Sequence, residues 1–185
     1  MTLRLVPPDP ALQASYLEAL AEVVPEGNAR FFELVLPAEG DFPGADFPAD
    51  RLADPGVFAE FCAYTRALED PATPMPRDWV SGTYLWAVED ATVVGRISLR
   101  HALTPWLLEV GGHIGYAVRP SARRRGVATR MLALMLPVAA AHGIDPALVT
   151  CDDTNGASRR VIEANGGVLE DQRGDKLRFW VPTSR

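Results

Sequence analysis

Between His113 and Gly143 a strand pattern runs into a proline, then three arginines, then one glycine, then an almost wholly apolar helix. This stretch restricts the fold more than any other part of the chain. His113-Ile114-Gly115-Tyr116-Ala117-Val118 reads as a strand that stops at Arg119-Pro120, because proline has no N–H for a sheet ladder. Val127 to His142 reads as a helix. Its residues Val127, Ala128, Met131, Leu132, Leu134, Met135, Leu136 and Val138 are apolar nearly all the way round, which predicts burial on most sides. Pro137 predicts a kink and Gly143 a C-terminal stop. The first turn of such a helix has N–H groups without intrahelical partners, and the macrodipole makes that end positive. Gly126 has no Cβ, so backbone there can approach a ligand closely, and Ala128 keeps the next contact small. Together with Arg123-Arg124-Arg125 these features make an anion site suited to a pyrophosphate. The competing reading is a solvated basic turn before a core helix. Neither Gly-x-x-x-x-Gly-Lys-Ser/Thr nor Gly-x-Gly-x-x-Gly is present, which sets aside two other phosphate-binding loops.

The rest of the chain fits an α/β sheet around that helix. Leu3 to Val6 reads as a short strand. Asp9 to Val24 reads as a helix, with Asp9 as cap, Pro10 at its first position, and Pro25 and Gly27 ending it. Pro37 to Asp54 is rich in proline, glycine and acidic residues and reads as a loop. Asp54-Pro55 starts a second helix that runs to about Leu68. Thr83 to Val88, a turn at Glu89-Asp90, and Thr92 to Leu99 read as a β-hairpin. Ala147 to Cys151 is continuously apolar, as in a strand buried on both faces. Asn155 can cap a helix from Gly156 to Ala164, and Val168 to Glu170 and Lys176 to Val181 finish as strands.

At 185 residues the chain suits one domain, 1–185, with a divergent part over 1–80 and clearer strand and helix signals after it. The net charge of −6 argues against duplex nucleic acid, whose affinity comes mostly from Lys and Arg neutralising phosphates. Cys62 and Cys151 form no metal-ligand spacing and read as reduced thiols, with one disulfide between them left open. No secretory signal is visible, and the longest apolar run falls well short of the roughly 18 residues of a membrane span. The expectation is a soluble, cytoplasmic protein with no membrane partner.

Arg123-x-x-Gly126-x-Ala128 resembles the Arg/Gln-x-x-Gly-x-Gly/Ala element of the GNAT acetyltransferases. The likeness extends to Gly112-His113-Ile114-Gly115-Tyr116-Ala117-Val118-Arg119-Pro120, similar to that family's fourth strand. Cys151 to Ser158 and Val161 to Gly167 are similar to its fifth strand and following helix. Together these cover roughly residues 83–182, the expected acetyl-CoA-binding core, and leave 1–80 as the acceptor side. The resemblance implies a mixed, mostly antiparallel sheet of six to seven strands flanked by about four helices. It also implies acetyl-CoA as cosubstrate, no metal, and acetyl transfer to a primary amine of a small molecule or peptide by direct attack in a ternary complex.

In that family the fourth and fifth strands splay and the pantetheine arm lies in the gap. Carried over, its backbone partners are Ala117, Val118 and Arg119. The pyrophosphate falls to Arg123 and to the backbone of Arg124, Arg125, Gly126, Val127 and Ala128, with Thr129. Asn155 and Ser158 face the pantetheine and thiol. A backbone N–H near Val118 is the oxyanion donor. Many members use a Tyr on the helix after the fifth strand as general acid, and this chain has Ile162 there. Ser158 or Tyr116 is then the replacement. His113 and Glu109 are the candidate bases, with His101 and Asp152 behind them. Two other readings compete. One is an acetyl-CoA-binding sensor without transfer. The other is a nucleic-acid binder that uses Arg119, Arg123, Arg124, Arg125 and Arg130. A homodimer is a further possibility, with Trp106-Leu107-Leu108 as its contact.

Overall fold

A computed structural model describes residues 2–184, and in it the predicted strands assemble into one seven-stranded sheet of order β1-β4-β5-β6-β7-β9-β8. The strands are β1 (Leu3–Val6), β4 (Gly82–Glu89), β5 (Thr92–Arg100), β6 (Ile114–Val118), β7 (Ala147–Asp152), β8 (Val168–Arg173) and β9 (Lys176–Val181). Every neighbouring pair is antiparallel except β6 and β7. A separate two-stranded sheet joins β2 (Leu34–Leu36) to β3 (Ala45–Phe47). The loop expected over 37–54 therefore contains one strand of a hairpin. Three-residue strands among prolines and glycines leave too short an alternation to read.

Four helices cover the two faces. On one side lie α1 (Gln13–Val23) and α2 (Pro55–Ala67). Asp9 caps a short 3-10 turn that leads into α1, accepting from the Ala11 N–H at 2.9 Å. Asp54 caps α2, accepting from the N–H groups of Gly56 and Val57. Tyr16, Phe58, Phe61 and Trp86 form the aromatic centre of this layer, and the Tyr16 hydroxyl donates to the Phe32 carbonyl at 2.7 Å.

On the other face α3 (Val127–Ala141) buries Met131, Leu132, Met135, Leu136 and Ala139 against Ile97, Leu99, Val149 and Phe179, beside α4 (Gly156–Ala164). The helix is less enclosed than its composition predicts, since Ala133, Leu134, Pro137 and Ala141 face outward. Cys62 and Cys151 are both free and buried, one in each layer.

The β4–β5 turn is centred on Asp90 and Ala91, both with positive φ, one residue later than expected. Glu89 is drawn into the strand because it is 3% exposed and receives Arg125 and Arg130. Among the described residues no helix is long and apolar enough to cross a membrane.

Candidate active site

A wedge opens between the two parallel strands. β6 and β7 share one register pair, Ile114 with Val149, and then part. Their joined end is fixed by two bonds. The His113 N–H donates to the Leu148 carbonyl at 2.7 Å, and the Leu148 N–H donates to His113 Nδ1 at 2.9 Å. Gly112, at φ +62, passes so close that a Cβ there would lie 2.6 Å from the Leu148 oxygen.

The ladder with β5 decides which backbone groups face the gap. Arg100 N–H donates to the His113 carbonyl and Arg119 N–H donates to the Val94 carbonyl. His113 thus gives β5 only its carbonyl, and from there antiparallel alternation turns residues 115, 117 and 119 toward β5 and aims the N–H groups of Tyr116 and Val118 into the gap. Of the three backbones expected to meet pantetheine, Val118 faces the opening, while Ala117 and Arg119 are spent on the sheet.

Beyond Val118 the chain makes a 3-10 turn, Pro120–Ala122, and reaches the arginines. Arg124 has φ +61 and Gly126 φ +73, so the backbone twists twice through the left-handed region before α3 begins. Nothing lies within 4 Å of where a Gly126 Cβ would stand, so the open space above this turn is a cradle. The first helical bond runs from Arg130 N–H to the Gly126 carbonyl at 3.1 Å. The N–H groups of Val127, Ala128 and Thr129 are thereby left without helical partners. An anion of pyrophosphate type fits this donor set.

The five arginines are not a free basic patch. Arg119 is 8% exposed and donates through Nε to Glu22 at 2.9 Å. Its guanidinium and the Ser121 N–H hold the Glu22 carboxyl down at about 2. Arg123 makes two bonds to Glu26, at 2.8 and 2.6 Å, which keep that carboxyl below its usual range. Arg125 and Arg130 share Glu89. Among the described residues Arg124 alone of the five has no carboxylate partner. Arg119 and Arg125, whose backbone was expected at the cofactor, do not line the cavity, and the Arg119 N–H is already bonded to the Val94 carbonyl. The same pairing weighs against the nucleic-acid reading, since four of the five guanidiniums already face a carboxylate.

The wedge and cradle form one cavity of about 790 Å³. Tyr116, Ala117, Val118, Arg123, Arg124, Gly126, Val127, Ala128, Thr129, Asn155 and Ser158 of the expected residues line it. Asn155 Oδ1 accepts from the Ser158 N–H at 3.0 Å, which is a helix cap. The Tyr116 and Ser158 hydroxyls are 2.7 Å apart. Burial pushes the Tyr116 phenol up to about 12, against the opposing pull of the Ser158 hydrogen bond. Ile162 is fully buried in the α3 layer.

The expected bases lie elsewhere. His113 is 8% exposed, accepts from backbone at Nδ1, and is held down at about 4 by burial and then by Arg100. It closes the wedge and does not line the cavity. Glu109 sits in a single π-helical turn, Leu107–Gly111, and pairs with Arg173. Asp152 pairs with Lys176, and His101 lies beside Ser81 and Thr83.

Sequence reading missed Val23 and Asn28, which reach the cavity from the N-terminal layer beside Phe31, and Arg160 and Val161 on α4. Arg160 and Val161 carried a signal, since they stand two and three residues after Ser158 on the same helix. Val23 and Asn28 carried none.

A family model described as an acetyltransferase (GNAT) domain matches residues 33–168. The match thus starts well inside the part that seemed divergent. Solved acetyltransferases share the fold. The ribosomal-protein-S5-alanine acetyltransferase from Vibrio fischeri superposes with a TM-score of 0.62 at 13% identity, over 98% of this chain and 92% of that one. RimJ of Mycobacterium smegmatis, in complex with CoA-disulfide, gives 0.61 at 17%, over 97% and 80%. The Microcin C7 self immunity acetyltransferase MccE, in complex with acetyl-CoA and AMP, gives 0.61 at 9%, over 97% and 92%. No curated protein matches the chain significantly.

Proposed function

The chain belongs to the GNAT acetyltransferase family, and from that premise we propose that it transfers an acetyl group from acetyl-CoA to a primary amine by direct attack in a ternary complex. The carrying observation is one cavity that joins a helix N-terminal cradle to the Tyr116–Ser158 hydroxyl pair. Bound acetyl-CoA supplies an acetyl thioester, whose C–S bond breaks as the C–N bond to the amine forms.

The chain's own groups divide the work along the cavity. The N–H groups of Val127, Ala128 and Thr129, aided by Arg124, bind the pyrophosphate. The Val118 N–H and its neighbour on Tyr116 donate to pantetheine and to the acyl oxygen, where negative charge develops. Tyr116 keeps its proton across the working range, because burial raises its phenol. It orients the Ser158 hydroxyl, which gives its proton to the departing sulfur and takes back the one that the attacking nitrogen loses as the amide forms. That arrangement takes the place of the Tyr usual at position 162. The part over 1–80 forms the acceptor side through Val23, Asn28 and Phe31, which supports reading 1–185 as one domain. Two buried free thiols fit a reducing compartment such as the cytoplasm.

The test is calorimetric titration with acetyl-CoA, run on wild type, Gly126→Glu and Gly126→Asn. Asn tolerates positive φ, so Gly126→Asn separates backbone strain from occlusion of the cradle. Binding by wild type and Gly126→Asn, lost in Gly126→Glu, supports the site, and an amine screen then tests transfer. No binding by folded wild type overturns the proposal. Binding without transfer to any amine favours a sensor.

A further inference from the structure

At the far end of α3 from the cradle, four side-chain donor atoms from four separate segments meet around one point. His142 caps the C-terminus of α3, His101 follows β5, Thr83 lies in β4, and Glu69 follows α2. The two imidazole rings stack with centroids 3.9 Å apart and planes 24° apart. This sets both Nε2 atoms at the same edge of the stack. Thr83 Oγ1 lies 2.9 Å from His101 Nε2, 3.5 Å from His142 Nε2 and 3.2 Å from Glu69 Oε1. His142 Nε2 lies 3.7 Å from Glu69 Oε1. Ligand atoms of the two histidines and the glutamate all fall within 4.8 Å of one another.

These separations have a geometric reading. A tetrahedral shell with bonds of about 2.1 Å has donor–donor edges of about 3.4 Å. The four separations, from 2.9 to 3.7 Å, bracket that value. Thr83 gives its one proton to Glu69 Oε1 and turns its two lone pairs toward the imidazoles, so its oxygen faces the same point as both Nε2 atoms. His101 Nδ1 lies 3.3 Å from the Ser81 hydroxyl. A proton on Nδ1 directed at Ser81 leaves the Nε2 lone pair facing the cluster, the usual outer-shell arrangement of a metal-bound histidine.

We propose that Glu69, His101 and His142 form a structural site for a divalent transition metal, with Zn2+ as the natural occupant and Thr83 or a water in the fourth position. Two imidazoles and one carboxylate select such borderline ions over Mg2+ and Ca2+, which prefer all-oxygen shells. The site stands about 20 Å from the pyrophosphate cradle, the length of α3 at about 1.5 Å per residue. It takes no part in acetyl transfer. Its effect is to clip the end of α3 to β4, β5 and the segment after α2, joining the two layers outside the sheet.

The experiment uses tag-free protein, stripped with a chelator and titrated with ZnCl2 by calorimetry, with a parallel thermal melt. The expected result is one Zn2+ per chain and a raised Tm. His101→Gln and His142→Gln should each weaken binding by at least about tenfold and abolish the melting shift. His142 is exposed, so His142→Gln should fold even where a change at His101 does not. Co2+ should give the intense visible absorption of a tetrahedral site in wild type only. Absence of Zn2+ binding by wild type overturns the proposal. So does binding of undiminished affinity in folded His142→Gln, which would place the ion elsewhere.

Discussion

The hydroxyl oxygens of Tyr116 and Ser158 lie 2.7 Å apart, joining the splayed strand β6 to the first turn of α4. The backbone carbonyl of Ser158 accepts from the same phenol at 3.4 Å, so the phenol is held from two directions. A pair held in this way acts as a unit. Tyr116→Phe and Ser158→Ala should each lower kcat by about 100-fold. KM for acetyl-CoA should stay within about twofold, because neither change touches the phosphate cradle. The double variant should be little worse than either single one. Steady-state kinetics on the three variants checks this, and additive losses would mean that the hydroxyls act separately.

His113 shows how far sequence could go toward the site. Its position beside β6 was legible, and so were the strand, the cradle and the helix cap at Asn155. Its role was not, because the partner that fixes it, Leu148, is 35 residues away. The same holds for the arginines. Three of them stand in a row in sequence, yet the carboxylates that neutralise Arg119 and Arg123 come from Glu22 and Glu26, 97 residues earlier. Local pattern reports which groups a segment offers, and tertiary pairing decides which of them remain free. The short β2–β3 hairpin was lost for a simpler reason, since three residues are too few to show a period.

His113 gives the fold a pH dependence of known sign. Its imidazole titrates near 6.5 when unfolded and is held down at about 4 in the native state. Between those values the unfolded chain binds more protons, so stability falls as pH falls from 6.5 to about 4. The contribution is roughly 3 kcal/mol if the whole shift is realised. His113→Gln should flatten this limb in urea titrations from pH 7 to 4. Turnover at saturating substrate should change little in a folded variant, whereas a loss that follows the imidazole titration would return His113 to the list of bases.

Glu22 acts over a lower window. Its folded carboxyl is depressed from 4.5 to about 2, chiefly by the Arg119 hydrogen bond. Its stabilisation is present above pH 4.5 and is lost as pH falls toward 2. Glu22→Gln should destabilise the protein by about 2–3 kcal/mol at pH 7, since it leaves buried Arg119 with only the more distant and exposed Glu18, at 3.8 Å, as a carboxylate partner. Acid unfolding of the variant should show a shallower limb below pH 4.5. Equal stability of the two proteins at neutral pH would contradict the pairing.

The placement of His113 and Glu109 also bears on the acceptor. One closes the wedge and the other pairs with Arg173, so the cavity meets hydroxyls, amides, arginines and apolar groups instead. An amine that reaches such a cavity must shed its proton before it enters. The ammonium pKa is about 8 for an α-amine and about 10.4 for a lysine-type amine. The logarithm of kcat/KM should therefore rise with unit slope up to the acceptor's own pKa. The inflection should move by about two units between an α-amine and a lysine-type acceptor, and at pH 7 the α-amine should react faster. One inflection shared by both acceptors near pH 6 to 7 would instead reveal an enzyme base, and the carboxylates and imidazoles outside the cavity would have to be searched again for it.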